Sequence, residues 1–153
     1  MIQRIQTVFL FFAFLCMACL LIFPLASFID INGHVYSMTY NRFYSIDKTQ
    51  NFSQDLNLFT YLIITIIAAT IVTIFLFRKR PLQMRICTMT MILSVFLQGI
   101  LIFYFFQIKN TLQGSGAPSL ALILPLVAAI LIFLAFRRIS RDEILVRSLN
   151  RLR

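Results

Sequence analysis

The sequence has few charged residues, and very few of them are acidic. Only 12% of its 153 residues are charged, with five acids against fourteen bases, whereas an average soluble domain is about 25% charged. A water-soluble chain of this length could not bury the corresponding excess of apolar surface, because small folds leave a large share of their surface exposed. The shortage of charge therefore argues against a water-soluble fold.

The residue types that most often bind metals or carry catalysis are also scarce. The chain has one histidine, His34, and three cysteines, Cys16, Cys19 and Cys87, all within apolar stretches. An odd number of buried cysteines does not form a disulfide framework. Neither a glycine-rich phosphate loop nor a serine elbow occurs. We therefore expect no metal, no cofactor and no enzymatic activity.

Apolar residues are abundant, and they occur in four long runs. They make up 60% of the chain, and a helix needs about 20 of them to cross a bilayer core of about 30 Å. The runs predict transmembrane spans at 5–29, 58–77, 86–106 and 118–136. We predict an all-α membrane protein, with an antiparallel four-helix transmembrane bundle as a single integral membrane domain over residues 1–153.

Prolines mark the ends or bends of these spans. Pro24 is expected to bend or end the first span near its outer edge, and Pro125 to kink the fourth. Pro118 is expected to open the fourth helix, because proline is favoured in a first helical turn. A short flexible turn is predicted before it, at residues 109–117.

The outer loop, residues 30–57, is the only sizeable polar segment. Asn32-Gly33 lies there between β-prone flanks, a pattern typical of a β-hairpin because both residues tolerate positive φ. A helix is the alternative, because three tyrosines recur every four residues: Tyr36, Tyr40 and Tyr44. The hairpin is the favoured interpretation, as a small extracytoplasmic cap on the bundle.

The tail, residues 137–153, is rich in arginine. Ser140 is followed three residues later by Glu143, which is the spacing of a capping box. In a helix that starts at this box, Asp142 and Glu143 lie in the first turn and arginines lie in the last turn. This arrangement is favourable, because the helix dipole stabilises negative charge at the start of a helix and positive charge at its end. We predict a short cytoplasmic C-terminal amphipathic helix.

The distribution of positive charge predicts the orientation. Eleven Lys and Arg residues lie at the N-terminus, in the middle loop and in the tail, against three in the two opposite loops. Basic loops are retained in the cytoplasm. An even number of spans puts both termini on the same side of the membrane. The excess of basic residues on that side predicts that it is the cytoplasmic side.

Small and polar side chains recur within the spans at helical spacing and are candidate packing residues, because lipid gives helices no hydrophobic reason to associate. They are Cys16, Thr65, Ala69, Thr73, Thr90, Ser94, Gln98, Ala121 and Ala128. Gln98 is the most polar of them, and we interpret it as an interhelical hydrogen-bonding residue rather than a substrate ligand. Transport pathways usually need ionisable groups, and the predicted spans contain none.

The cytoplasmic basic residues are candidate contacts for anionic lipids or for an acidic partner. They are Arg78, Lys79, Arg80, Arg85, Arg137, Arg138, Arg147 and Arg151. Lipid contact is the preferred interpretation. Nucleic acid is not expected as a partner, because no aromatic residues are interleaved with the charge.

Three segments resemble an uncharacterised four-pass membrane family of Bacteroidetes. They are the N-terminal run 1–7, the basic loop that ends in Gln83, and the terminal run 141–153. The resemblance implies a bacterial inner-membrane location, and it implies no activity.

These observations favour a structural or accessory subunit, or an adaptor, that contacts membrane lipids and a membrane-protein partner or a second copy of itself. The alternative is a small transporter or lipid-binding protein, which would need a cavity lined by Thr65, Thr90, Ser94 and Gln98. A third hypothesis is thiol redox chemistry at Cys16 and Cys19, which have the C-x-x-C spacing.

Overall fold

The computed structural model describes residues 3–31, 33–46, 53–55, 57–76, 79–112 and 115–151. Helix α1 is Gln3–Cys19, α2 is Asn57–Phe75, α3 is Arg80–Leu112 and α4 is Leu124–Arg151. Strands β1 to β4 separate α1 from α2 and are Ala26–Ile29, Val35–Met38, Arg42–Ser45 and Ser53–Asp55. Strand β5, Ser115–Pro118, and a 3₁₀ turn, Leu120–Ile123, lie between α3 and α4.

Each helix packs against two others. Helix α1 contacts α2 and α4, and α3 contacts the same two helices. The strands lie at the end of the bundle where α1 and α3 finish, which we call the sheet end. The opposite end carries Lys79, Arg85, Arg137, Arg138 and Arg141, all exposed, and we call it the basic end.

Among the described residues, three helices are long and apolar enough to cross a membrane: Asn57–Phe75, Pro81–Leu112 and Leu120–Ile144. The apolar part of α1, Ile5–Cys19, is shorter. The predicted first span of 5–29 is wrong as a helix, because α1 ends at Cys19 and residues 26–29 form β1. Pro24 lies between these two elements, where a proline would interrupt a continuing helix.

The strands form one antiparallel sheet in the order β4-β3-β2-β1-β5. The predicted hairpin is present, since β1 pairs with β2 and Phe28 lies opposite Tyr36. Gly33 in the connection has a φ of 80°, which glycine adopts without strain. The helical alternative for the tyrosines is wrong, because Tyr36 and Tyr44 lie in strands.

The sheet packs on the bundle through aromatic side chains. The Phe28 ring lies 5.3 Å from that of Phe105 on α3 and 6.0 Å from that of Phe43 on β3. Tyr36 stacks on Phe43 at 5.5 Å. Phe28, Phe43 and Tyr36 are all buried, so the sheet covers the end of the bundle.

The predicted flexible turn before the fourth helix is wrong in part, because residues 115–118 form β5 and pair with β1. Gly116 lies opposite Phe28. A Cβ at Gly116 would lie 3.0 Å from Cδ1 of Phe28, so the glycine allows the Phe28 ring to pack closely. Pro118 therefore ends a strand and does not open the helix.

Pro125 does not kink the middle of a helix. It is the second residue of α4, directly after the 3₁₀ turn. The backbone N–H of Leu124 donates to the carbonyl oxygen of Ala121 in a 3₁₀ bond, and Pro125 follows with no N–H of its own. Its position in the first α-helical turn is one that proline tolerates.

The tail is not a separate helix. Helix α4 continues from the apolar run to Arg151 without a break. The hydroxyl of Ser140 donates to Sδ of Met84 on α3 at 3.5 Å and does not start a new helix. Residues 137–144 contain neither glycine nor proline, so nothing in this stretch ends the helix.

Candidate functional site

Two polar side chains of α3 hydrogen bond to the backbone of α4 at its first turn. The hydroxyl of Ser94 donates to the carbonyl oxygen of Pro125 at 2.8 Å. The side-chain oxygen of Gln98 accepts from the backbone N–H of Leu126 at 3.2 Å. Ser94 and Gln98 are both buried.

The change from 3₁₀ to α-helix explains why polar groups are needed there. The first N–H groups of a helix have no intrahelical acceptor. Gln98 supplies the acceptor for Leu126. No buried side-chain nitrogen or oxygen in the described residues lacks a hydrogen-bond partner.

The other predicted packing residues differ in burial. Thr73, Thr90, Ala121 and Ala128 are buried, whereas Cys16 and Ala69 are half-buried and Thr65 is exposed. The threonines bond to their own helices: the hydroxyl of Thr65 donates to the carbonyl of Tyr61, Thr73 to Ala69 and Thr90 to Ile86, at 2.7 Å each. These three hydroxyls do not link one helix to another.

Sequence reasoning missed two interhelical contacts near the basic end. Nε2 of Gln83 on α3 donates to the carbonyl of Thr73 on α2 at 3.2 Å. Nε2 of Gln6 on α1 donates to Oδ2 of Asp142 on α4. Gln83 could have been found, because it continues the buried face of α3 one turn before Cys87 and two turns before Thr90.

A groove of about 290 Å³ lies between α2 and α3. It is lined by Thr65, Ile66, Ala69, Arg85, Ile86, Met89, Thr90 and Leu93. Two of the four residues expected around a transport cavity, Thr65 and Thr90, line this groove. Ser94 and Gln98 are instead bound to α4. Both threonine hydroxyls bond to their own helix backbone, and the surface that the groove exposes is apolar although Arg85 contributes to its wall.

A second cleft, of about 150 Å³, lies between α1 and α4 at the basic end. It is lined by Phe9, Leu134, Arg137, Arg138 and Arg141. Arginines 137, 138 and 141 lie within an arc of about 100° on the helix, because successive residues are rotated by about 100°. The cleft therefore joins an apolar floor to three guanidinium groups.

The remaining predicted basic contacts are described only in part. Lys79 and Arg85 are exposed at the same end. The backbones of Arg80, Arg147 and Arg151 lie in α3 and α4, with no description of their side chains, and Arg78 lies outside the described residues.

The cysteines do not form a disulfide. Cys16 and Cys19 lie in the last turn of α1, next to the turn that leads to the sheet, rather than in the middle of a span as the sequence suggested. The C-terminal end of a helix carries partial negative charge, which disfavours a nearby anion. A reactive thiolate is therefore disfavoured at Cys16 and Cys19. Cys87 is buried on α3. The described residues contain no group of three or more His, Cys, Asp or Glu that could hold a metal ion.

A family model described as Domain of unknown function (DUF4293) matches residues 2–152. No curated protein matches the chain. Because the match covers nearly the whole sequence, the chain belongs to the Domain of unknown function (DUF4293) family.

Proposed function

We propose that this protein is a non-enzymatic, four-span protein of the bacterial inner membrane that serves as a structural or accessory subunit. One observation carries the proposal: three buried polar side chains between the helices are engaged in hydrogen bonds to the backbone of a neighbouring helix. Ser94 and Gln98 bind the backbone of α4, and Gln83 binds that of α2. Partners would therefore bind the outer surface of the molecule, which differs chemically between the sheet end and the basic end.

The proposed topology has the basic end in the cytoplasm and the sheet end outside. The concentration of positive charge at one end supports it. Helix α1 would be the fourth span in spite of its length of 17 residues. A bilayer accommodates a short span by local thinning or by snorkelling of flanking residues, and the turn after Cys19 adds exposed apolar side chains such as Ile22, which is 75% exposed.

A partner is expected to dock on the sheet end, on the basic end or on the lipid-facing surfaces. At the sheet end, Ile31 lies two residues after β1 and Ile46 lies directly after β3, and they are 70% and 56% exposed. Exposed apolar side chains of this kind are typical of interaction surfaces when they are grouped. The partner is a second membrane protein or another copy of this chain.

The experiment is site-specific photo-crosslinking in cells, with a photoreactive amino acid at Ile31, Ile46 or Ile144. Each is exposed, and the same probe at Leu10, which is 1% exposed, is the matched control. The proposal expects a protein adduct of defined mass from at least one exposed position and none from Leu10. Absence of adducts from every exposed position, together with monomeric migration of the native membrane extract, would contradict it.

Orientation is tested separately in a cysteine-free background. A single cysteine at Ile31 is expected to react with a membrane-impermeant maleimide added outside the cell, and one at Ile144 is expected not to react. The reverse labelling pattern would overturn the proposed sidedness.

The alternative function, a small transporter or lipid-binding protein, is supported by the groove between α2 and α3. Within that alternative, lipid binding is better supported than transport. The threonine hydroxyls in the groove are occupied by their own helix, and a transported polar solute would need free polar groups. An apolar groove with Arg85 at one side suits an acyl chain better.

A further inference from the structure

We propose that the cleft between α1 and α4 at the basic end is a binding site for the phosphate headgroup of an anionic phospholipid. This inference rests on the membrane location proposed above. It assigns a ligand to Arg137, Arg138 and Arg141, with Phe9 and Leu134 as the apolar floor of the site.

The three arginines provide the chemistry that a phosphodiester needs. A guanidinium group presents several N–H donors in a planar fork that matches phosphate oxygens. Within the described part of the chain, none of the three guanidinium groups has an observed hydrogen bond or ion pair. Two acids follow, Asp142 and Glu143, and Asp142 accepts a hydrogen bond from Gln6 of α1. Three arginines against two carboxylates leave the cluster net positive.

The position of the cleft also fits a lipid. Along α4, the exposed residues Ile130 and Leu134 lead at helical steps into Arg138 and Arg141. Ile130 is 53% and Leu134 36% exposed, and both belong to the apolar segment that is long enough to cross a membrane. An acyl chain can lie along this stripe while its phosphate contacts the arginines, which begin one turn later.

The continuous stripe favours a lipid over a free phosphate ion. A soluble ion would use only the guanidinium groups and would leave the apolar floor of Phe9 and Leu134 without a role. The headgroup of a phospholipid lies where the apolar part of a span ends and its charged part begins, and α4 places both parts of the site at that boundary.

The test uses the absence of tryptophan from the sequence. Ile130→Trp introduces a single tryptophan on the apolar stripe, one turn from the cleft, and the protein is placed in phosphatidylcholine vesicles with a small fraction of brominated lipid, which quenches nearby indoles. Brominated phosphatidylglycerol is expected to quench Ile130→Trp more strongly than an equal fraction of brominated phosphatidylcholine. Phe103→Trp, on the lipid-exposed surface of α3 near the sheet end, is the control and is expected to show no preference.

Two charge-matched triple variants then test the arginines. In Arg137→Gln/Arg138→Gln/Arg141→Gln, the preference for phosphatidylglycerol is expected to disappear, with about a fivefold loss for each arginine. The control variant, Lys79→Gln/Arg85→Gln/Lys109→Gln, loses the same charge outside the cleft. The preference for phosphatidylglycerol is expected to remain in this variant.

Equal quenching of Ile130→Trp by both lipids would overturn the inference, without any need for the triple variants to fold. If neither lipid quenches Phe103→Trp, the chain is not in the bilayer and the proposed membrane location fails as well. The two failures are therefore distinguishable.

Discussion

The hydroxyl of Ser94 donates a hydrogen bond to the carbonyl oxygen of Pro125 at 2.8 Å. One helical turn further along α3, Gln98 accepts from the N–H of Leu126, the residue after that proline. The two bonds together join α3 to the point where the 3₁₀ turn becomes α4. The proline thus lies in the first turn of the fourth helix, and α3 binds both its carbonyl oxygen and the N–H of the residue that follows it.

Gln98→Leu is expected to lower the stability of the bundle by about 1 kcal/mol, because the N–H of Leu126 loses its acceptor. The measurement is the equilibrium of unfolding in detergent micelles. Gln107→Leu is the matched control, because Gln107 lies on the same helix with an exposed side chain and is expected to leave stability unchanged. Equal effects of the two substitutions would show that the Gln98 hydrogen bond contributes nothing.

Gly116→Ala is expected to destabilise the sheet end by about 1–3 kcal/mol, the usual cost of overpacking a filled site. The new Cβ would lie 3.0 Å from Cδ1 of Phe28 and 3.4 Å from Cζ of Phe105. The thermal midpoint in detergent measures the effect. Gly99→Ala is the control, because a Cβ there meets nothing within 4 Å and alanine favours the helix.

Adding Phe28→Leu to Gly116→Ala should restore part of the lost stability, because the smaller side chain makes room for the new methyl group. If Gly116→Ala is as well tolerated as Gly99→Ala, the close packing of β5 on Phe28 is not a constraint on this position.

Cys87 is expected to react with a small maleimide more slowly than Cys16 and Cys19 in the folded protein in detergent. Cys87 is 1% exposed, whereas the other two are half-buried at the end of α1. Peptide mass spectrometry over a time course gives the separate rates, and denatured protein gives the reference in which the rates converge. Equal rates in the folded protein would contradict the burial of Cys87.

Spin labels at Phe133 and Ile144 test whether α4 is continuous. Both residues are exposed, and a straight helix separates their Cα atoms by about 16 Å. A narrow distance distribution near this value, measured by electron spin resonance in a cysteine-free background, is expected. A broad distribution, or one shifted by a bend at Ser140, would support a separate tail helix instead.

Periodicity and charge were sufficient to predict the main helical segments and the grouping of the basic residues. Long apolar runs permit few other structures, and the Asn32-Gly33 pair is a strong local signal for the hairpin between β1 and β2. Gln98 could be selected because it is a lone amide in an apolar run. Its partner, Leu126 N–H, could not be identified, because it depends on where the 3₁₀ turn ends.

The remaining elements depend on contacts between distant parts of the chain. Residues 115–118, Ser-Gly-Ala-Pro, have low intrinsic β-propensity, and they form β5 because β1 offers an open edge for pairing. The early end of α1 has the same origin, since residues 26–29 pair with two strands at once. The capping-box spacing at Ser140 was misleading, because Ser140 lies within a helix that had already started.

The pairing of β5 with β1 also determines how the protein can move. The sheet joins the segment after α1 to the connection between α3 and α4. Sliding of α1 along α3 or α4 would therefore break backbone hydrogen bonds between β1 and β5. The motion that costs the least free energy is a separation of the helices at the basic end, with the sheet end fixed. Side-chain contacts such as that of Gln6 with Asp142 oppose this separation. A lipid that enters between α1 and α4 at the basic end would therefore move the helix ends apart while the sheet end stays in place.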